Sequence, residues 1–185
     1  THVCDKPKMT VDAKKVYTAT IKTAKGNIVI ALDVKDSPIA VNNFVYLAQQ
    51  GFYNGLTFHR VEPAAQPTPA DGTTSALHLI QGGDPKANGQ GGPGYQFQDE
   101  AVKGDYKAGC VAMANSGTNT NGSQFFICTG DDSTQLAKSF SLFGQVISGL
   151  DVAQKIVAGD KMTSVTIAVT TPTPTATGAT PSPTK

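Results

Sequence analysis

Alternating apolar and polar residues near the start of the chain predict a β-hairpin. Tyr17–Lys22 alternates, Lys25-Gly26-Asn27 has the composition of a turn, and Ile28–Leu32 resumes the alternation. A period of two on both sides of a glycine-containing turn is typical of two paired antiparallel strands.

A helix is predicted after this hairpin. Ser37 and Pro38 suit the N-cap and first helical positions, and Gly51 suits the C-terminal end. Between them, apolar residues recur at the spacing of one helix face: Ala40, Val41, Phe44, Val45, Leu47 and Ala48.

Short apolar segments bounded by turn residues make up the rest of the body. They predict strands at Thr57–Val61, Leu77–Gln81, Val111–Ala114, Gln124–Cys128, Leu142–Ile147 and Ser164–Val169, and a short helix at Leu150–Ala158. Many strands with only two helices favour a mainly β protein, a closed antiparallel barrel with helical caps. The pattern alone does not fix the number of strands.

The two ends of the chain differ from this body. Residues 1–16 form a polar leader without clear periodicity, and 170–185 is a tail rich in Thr and Pro. A segment with so few apolar side chains is predicted to be disordered, which leaves one domain at 17–169. The chain does not start with Met, so we expect a processed or truncated start. The tail favours an extracytoplasmic or cell-surface location, with a cytoplasmic one as the alternative.

Charge and cysteine content narrow the function classes. A net charge of +1 excludes a strong attraction to nucleic acid or to an anionic membrane. No apolar run reaches the roughly 18 residues of a membrane span. Three cysteines are too few for a disulfide scaffold, and Cys110 and Cys128 are expected to be small buried hydrophobic residues. No Cys or His spacing suggests a zinc site.

Four segments carry a resemblance to a known family. They are Phe58-His59-Arg60-Val61, Gln81-Gly82-Gly83-Asp84-Pro85, Met113-Ala114-Asn115 with the following Asn119–Ile127, and Leu142-Phe143-Gly144. Their order and spacing resemble the cyclophilin family of peptidyl-prolyl cis/trans isomerases, most closely its bacterial members. The resemblance implies a closed eight-stranded antiparallel β-barrel capped by two α-helices. It also implies an enzyme (EC 5.2.1.8) that needs no cofactor and assists protein folding by accelerating X-Pro bond rotation.

The chemistry of X-Pro rotation explains which residue types such a site needs. Amide resonance sets a barrier of about 18–20 kcal/mol, and no bond is broken when it is crossed. The twisted proline nitrogen gains a lone pair, so a fixed donor beside it stabilises the transition state. By resemblance, Arg60 is this catalytic donor, Gln81 positions it, and the backbone of Asn115 holds the substrate main chain.

The resemblance also assigns the substrate groove and its ligands. The implied substrate-binding residues are His78, Leu79, Ala114, Gln124, Phe126, Leu136 and Phe140. Phe126 would form the floor of the proline pocket and Leu136 one of its walls. The implied partners are proline-containing peptides and unfolded proteins, bound by a monomer.

The sequence departs from the family pattern at several positions around the pocket. His78 replaces an aromatic wall residue with a titratable ring, and Phe140 replaces a histidine. Gln135 stands where the family has a rim tryptophan that helps bind cyclosporin, so weak cyclosporin binding is expected. Ala64–Ala76 is an insertion with the composition of a surface loop. It is either a neutral loop or one that flanks the groove and alters substrate choice.

Other function classes fit the sequence less well. A peptide-binding or chaperone module that kept the groove but lost catalytic power stays open because of His78 and Gln135. Arg60, Gln81 and Asn115 favour the enzyme over this alternative. A hydrolase or a metalloenzyme would need a nucleophile–base pair or a ligand cluster, and the sequence suggests neither.

Overall fold

A computed structural model describes residues 4–63 and 77–172. The insertion at 64–76 and the tail residues 173–185 lie outside this range, so both stay predictions. The strands are β1 (Val16–Thr23), β2 (Gly26–Leu32), β3 (Phe58–Glu62), β4 (Leu79–Gly82), β5 (Cys110–Met113), β6 (Phe125–Cys128), β7 (Leu142–Ser148) and β8 (Ser164–Thr170). The helices are α1 (Pro38–Gln49) and α2 (Leu150–Ala153).

The strands form one curled antiparallel sheet in the order β3-β4-β6-β5-β7-β2-β1-β8. Its first and last strands approach each other through the segments beside them. Thr57 and Lys161 form an isolated bridge, and the Phe58 N–H donates to the Asp160 carbonyl at 2.9 Å. The mainly β architecture with eight antiparallel strands and two helices is therefore confirmed. Within the described ranges, this bridge between the segments that precede β3 and β8 connects the two edges of the sheet, and no continuous ladder does.

Two apolar clusters lie on opposite faces of β4, β5 and β6. The larger fills the interior of the curled sheet, where the Phe44 ring of α1 lies 5.3 Å from both Phe125 and Phe143. The smaller cluster on the outer face contains Leu79, Tyr106, Cys110, Ala112, Phe126 and Cys128. Every residue of β5 and β6 is buried. Burial on both faces explains why these strands are continuous apolar runs in the sequence.

Helix α1 begins where the sequence predicts, but its cap comes from elsewhere. The Ser37 hydroxyl donates to the Leu142 carbonyl at 2.7 Å instead of capping the first turn. The amides of Ile39 and Ala40 donate to the Glu100 carboxylate, each at 2.9 Å. Burial raises the pKa of Glu100, although these two amide bonds oppose the rise.

Helix α2 is shorter than the predicted Leu150–Ala158. After Ala153 the chain continues in tight turns, with Lys155 N–H bonded to the Val152 carbonyl and Ile156 N–H to the Ala153 carbonyl. The Asp160 carboxylate then accepts from Val157 N–H at 2.8 Å. This side-chain acceptor satisfies the amide locally and ends the helical pattern.

The described part of the polar leader packs against α1. The backbone amides of Thr10 and Val11 donate to Asn42 Oδ1 at 2.8 and 3.2 Å, and Asn42 Nδ2 donates to the Lys8 carbonyl at 3.0 Å. Asn42 is 3% exposed, so the leader satisfies a buried amide that α1 would otherwise leave unpaired.

Cys110 and Cys128 are buried as expected, but they are also joined to each other. They lie on the paired strands β5 and β6 with Cα atoms 5.3 Å apart and form a disulfide. The sequence analysis did not predict this bond, because the register that brings the two cysteines together is a property of the sheet. Cys4 is a free cysteine. In the two described ranges, no helix has the length and apolar character needed to cross a membrane.

Candidate active site

A row of paired residues on β3, β4, β6 and β5 forms the centre of the site. Arg60 pairs with Gln81, Gln81 with Phe126, and Phe126 with Ala112. Paired residues on neighbouring strands face the same side of a sheet. The register therefore places a guanidinium, an amide and an aromatic ring side by side on the outer face.

This row lies in a groove with a volume of about 980 Å³. All of the predicted site residues except His78 line it, namely Arg60, Leu79, Gln81, Ala114, Asn115, Gln124, Phe126, Leu136 and Phe140. The glycine-rich segment 89–94 also lines the groove.

Arg60 is held by polar contacts on two sides. Its Nε donates to Glu62 Oε1 at 3.2 Å and its Nη1 to Gln81 Oε1 at 3.4 Å. The Arg60 side chain is 45% exposed, so the remaining donors of the guanidinium are available to a ligand in the groove.

The two glutamines of the site are linked to each other and to the glycine-rich segment. Gln81 Nε2 donates to Gln124 Oε1 at 2.9 Å. Gln124 Nε2 donates to the carbonyls of Gly89 and Gly91 at 3.0 and 2.9 Å. Arg60 is thus connected to this segment through two amide side chains.

The smaller apolar cluster forms the pocket that the sequence analysis predicts for proline. Phe126 is 3% exposed, and the ring of Phe140 stands edge-on to it at 5.6 Å. Leu79 belongs to the same cluster, and Leu136 packs against it. The pocket thus has an aromatic floor and aliphatic and aromatic walls, which suit an apolar five-membered ring.

Tyr106 supports the pocket and was missed by the sequence analysis. Its hydroxyl donates to the Phe140 carbonyl at 2.8 Å and accepts from the Phe140 N–H at 3.0 Å. Its ring lies 6.2 Å from Phe126. Burial raises the pKa of Tyr106, so the phenol stays neutral and can act as both donor and acceptor. No local sequence signal marks this role, because Phe140 is far along the chain.

Asn115 is fixed by its own side chain at the end of β5. Its Nδ2 donates to the Ser139 carbonyl at 2.9 Å and contacts Asp99 Oδ1 at 3.4 Å. Asp99 also accepts from Asn119 N–H and Asn121 Nδ2, both at 2.8 Å. The Asn-rich motif therefore holds the loop that presents the Asn115 backbone.

His78 is not one of the described residues that line the groove. Its side chain is half exposed, with Nδ1 3.4 Å from Asp132 Oδ1, and its backbone N–H donates to the same carboxylate at 2.9 Å. Leu77, which the sequence analysis missed, lines the groove instead. Leu77, Leu79 and Gln81 alternate toward the groove, so the residues between them face away from it. This alternation was the signal that could have identified Leu77.

Burial perturbs one titratable group next to Arg60 in the chain, His59. Burial lowers the pKa of His59 below its ordinary 6.5, and Arg60 adds to this while Asp84 opposes it. His59 Nδ1 is buried without a hydrogen-bond partner among the described residues. A neutral imidazole is therefore the favoured state next to the guanidinium. Across residues 4–63 and 77–172, no group of three or more His, Cys, Asp or Glu is placed to hold a metal ion.

The geometry combines an apolar pocket with a cationic donor held beside it. Such an arrangement suits an isomerase that twists a peptide bond next to proline, since this reaction needs a donor but no nucleophile.

Comparisons with known proteins agree with this class. A family model described as cyclophilin type peptidyl-prolyl cis-trans isomerase matches residues 18–173. A peptidyl-prolyl cis-trans isomerase of Helicobacter pylori is 45% identical over 157 residues, which cover 83% of this chain and 87% of that protein. One of Synechococcus elongatus is 40% identical over 151 residues, with 80% of this chain and 94% of that protein covered.

Solved structures give the same result. A cyclophilin type peptidyl-prolyl cis-trans isomerase of Cryptosporidium parvum is 28% identical, with a TM-score of 0.67 and coverage of 83% of this chain and 98% of that one. A second structure of that protein, in the presence of the dipeptide Ala-Pro, has a TM-score of 0.66.

The chain therefore belongs to the cyclophilin type peptidyl-prolyl cis-trans isomerase family. The family and enzyme class inferred from the sequence motifs are confirmed, and proline-containing peptides are the ligand class of this family.

Proposed function

We propose that this isomerase acts, as a monomer and without a cofactor, on X-Pro bonds in unfolded or flexible segments of other proteins. The observation that carries the proposal is the row of Arg60, Gln81 and Phe126 on adjacent strands. The proline ring occupies the pocket over Phe126, and its peptide nitrogen then lies toward Arg60. The groove is open at the surface, so an extended chain can enter it without a free terminus.

Catalysis follows from the difference between the planar and the twisted amide. In the planar ground state the proline nitrogen has no free lone pair, so an Arg60 N–H gains little from it. As the bond twists, the nitrogen becomes pyramidal and accepts a hydrogen bond from Arg60. An interaction made only in the transition state lowers the barrier. The contacts with Gln81 and Glu62 hold the guanidinium in place, so that it does not turn toward the carbonyl oxygen of the planar substrate bond.

A refolding assay tests this proposal against the chaperone alternative. The substrate is an unfolded protein whose slow refolding phase is limited by X-Pro isomerisation. The wild-type enzyme should accelerate that phase, and Arg60→Ala should lose the acceleration. Lys22→Ala, which removes an exposed cation from β1, should retain it. If wild type and Arg60→Ala only suppress aggregation to the same extent, the protein acts as a binding module and the proposal fails.

The second part of the proposal is an extracytoplasmic or cell-surface location. The Cys110–Cys128 disulfide supports it, because such bonds persist in oxidising compartments and are rare in the cytosol. The test is to alkylate the protein under denaturing conditions directly from its native cells, before and after reduction. Peptides containing Cys110 and Cys128 should be labelled only after reduction, and Cys4 should be labelled in both samples. Labelling of all three without reduction would argue for the cytoplasmic alternative.

A further inference from the structure

The side chain of Asp84 organises the glycine-rich segment that borders the groove. Asp84 is 1% exposed. Its Oδ1 accepts from Lys86 N–H at 2.7 Å, and its Oδ2 accepts from the N–H groups of Asn88 and Gly89 at 3.0 and 2.6 Å. A Cβ on Gly91 would collide with Asp84 Oδ1. The carboxylate therefore fills the centre of the segment and fixes its backbone.

The electrostatics of Asp84 agree with a fixed anion. Burial alone would raise its pKa, but backbone hydrogen bonds from Lys86, Asn88, Gly91 and Gly89 outweigh burial and lower it. A carboxylate that accepts several amide bonds holds its partners more tightly than a neutral acceptor does.

The segment held by Asp84 dictates the orientation of both glutamine amides. The carbonyls of Gly89 and Gly91 accept both hydrogens of Gln124 Nε2. Gln124 Oε1 must then face Gln81, which presents its Nε2 there at 2.9 Å. Gln81 Oε1 is left facing Arg60 Nη1. Each amide has one donor end and one acceptor end, so the first orientation sets the next.

We propose that Asp84 is a positioning residue for the isomerase reaction, acting on Arg60 through Gly89, Gly91, Gln124 and Gln81. If the two carbonyls move, Gln124 can reverse its amide, and Gln81 must reverse to match. The Gln81 amide nitrogen would then meet the Arg60 guanidinium, so two donors would face each other. Arg60 would be pushed from its position while the proline pocket stayed intact. This inference rests on the proposed role of Arg60.

Steady-state kinetics of Asp84→Asn provide the first test. The variant places an amide donor against backbone N–H groups and should lower kcat about tenfold, the effect of a coupling between residues in one hydrogen-bond network. KM should change less than about twofold, because the pocket residues are untouched. Lys22→Ala, which removes an exposed cation on β1 outside the groove and the glycine-rich segment, should keep the wild-type kcat. A rise in KM with unchanged kcat would overturn the proposal.

A double-mutant cycle with Arg60→Ala separates positioning from a structural role. Asp84→Asn should cost about tenfold in the wild-type background and less than about twofold once Arg60 is absent. Equal losses in both backgrounds would show that Asp84 acts independently of Arg60 and would refute the proposal. If Arg60→Ala alone leaves kcat unchanged, the proposed role of Arg60 fails instead, so the two failures are distinguishable.

Gln124→Glu keeps the test decisive if Asp84→Asn does not fold. This variant preserves the shape of a half-buried side chain but turns a carboxylate oxygen toward two carbonyls. It should lower kcat by about the same factor, again only when Arg60 is present. Wild-type kcat in folded Gln124→Glu would refute the proposal.

Discussion

Replacing Arg60 by alanine tests the central feature of the site. The Arg60 side chain is 45% exposed, and its hydrogen-bond partners Glu62 and Gln81 are both half-buried. An exposed pair of this kind contributes about 0–1 kcal/mol to stability. The loss of one transition-state donor costs about 2.7–4 kcal/mol, or about two to three decades in rate. We therefore expect kcat/KM to fall by about two to three decades while the urea midpoint shifts little.

Exchange NMR on an Ala-Pro peptide is the suitable assay, because it measures cis/trans interconversion at equilibrium without a coupling protease. Arg60→Lys keeps the charge but not the planar fork, and should lose about tenfold or more. Lys22→Ala removes a cation outside the groove and should keep wild-type exchange. Full activity of Arg60→Ala, or an equal loss in Lys22→Ala, would refute the donor mechanism.

Three further predictions concern the pocket and the groove edge. Tyr106→Phe removes both hydrogen bonds to the Phe140 backbone. It should lower the free energy of unfolding by about 1–3 kcal/mol and raise KM, and an unchanged urea midpoint would contradict this. Gln135 is exposed and adjoins the groove residue Leu136. If it occupies the predicted rim position, Gln135→Trp should tighten cyclosporin inhibition in a competition assay, and tight inhibition of the wild type would count against the alignment there. The lowered pKa of His59 means that the unfolded chain binds a proton before the folded one does as the pH is lowered through 6.5, so stability should fall as the pH falls through this value. His59→Gln should show a smaller fall, and an equal fall would exclude His59 as the cause.

Local patterns predicted most of the elements because they depend on neighbouring residues. The β1–β2 hairpin and the start of α1 follow from alternation, a glycine turn and a proline at the first helical position. The motifs likewise identified Arg60, Gln81 and Phe126, whose strand register then places them side by side.

Features that depend on contacts between distant segments could not be predicted. The cap of α1 comes from Glu100, about sixty positions along the chain. The Cys110–Cys128 bond depends on strand register, and Tyr106 meets Phe140 only in the folded protein. His78 was predicted to line the pocket because it matches a family position. The alternation of Leu77 and Leu79 toward the groove instead places His78 on the other face of the chain.

The shared use of β5 and β6 by two clusters has an evolutionary consequence. Phe125 belongs to the interior cluster and Phe126 to the pocket cluster, so a one-residue slip in β6 would exchange their environments and damage both. Selection for a new substrate therefore has little freedom on these strands. The departures from the family pattern that the sequence analysis predicts, at His78, Gln135, Phe140 and 64–76, all lie outside these strands. Diversification of substrate choice in such a barrel is expected to proceed through loop exchange, with the strands inherited nearly unchanged.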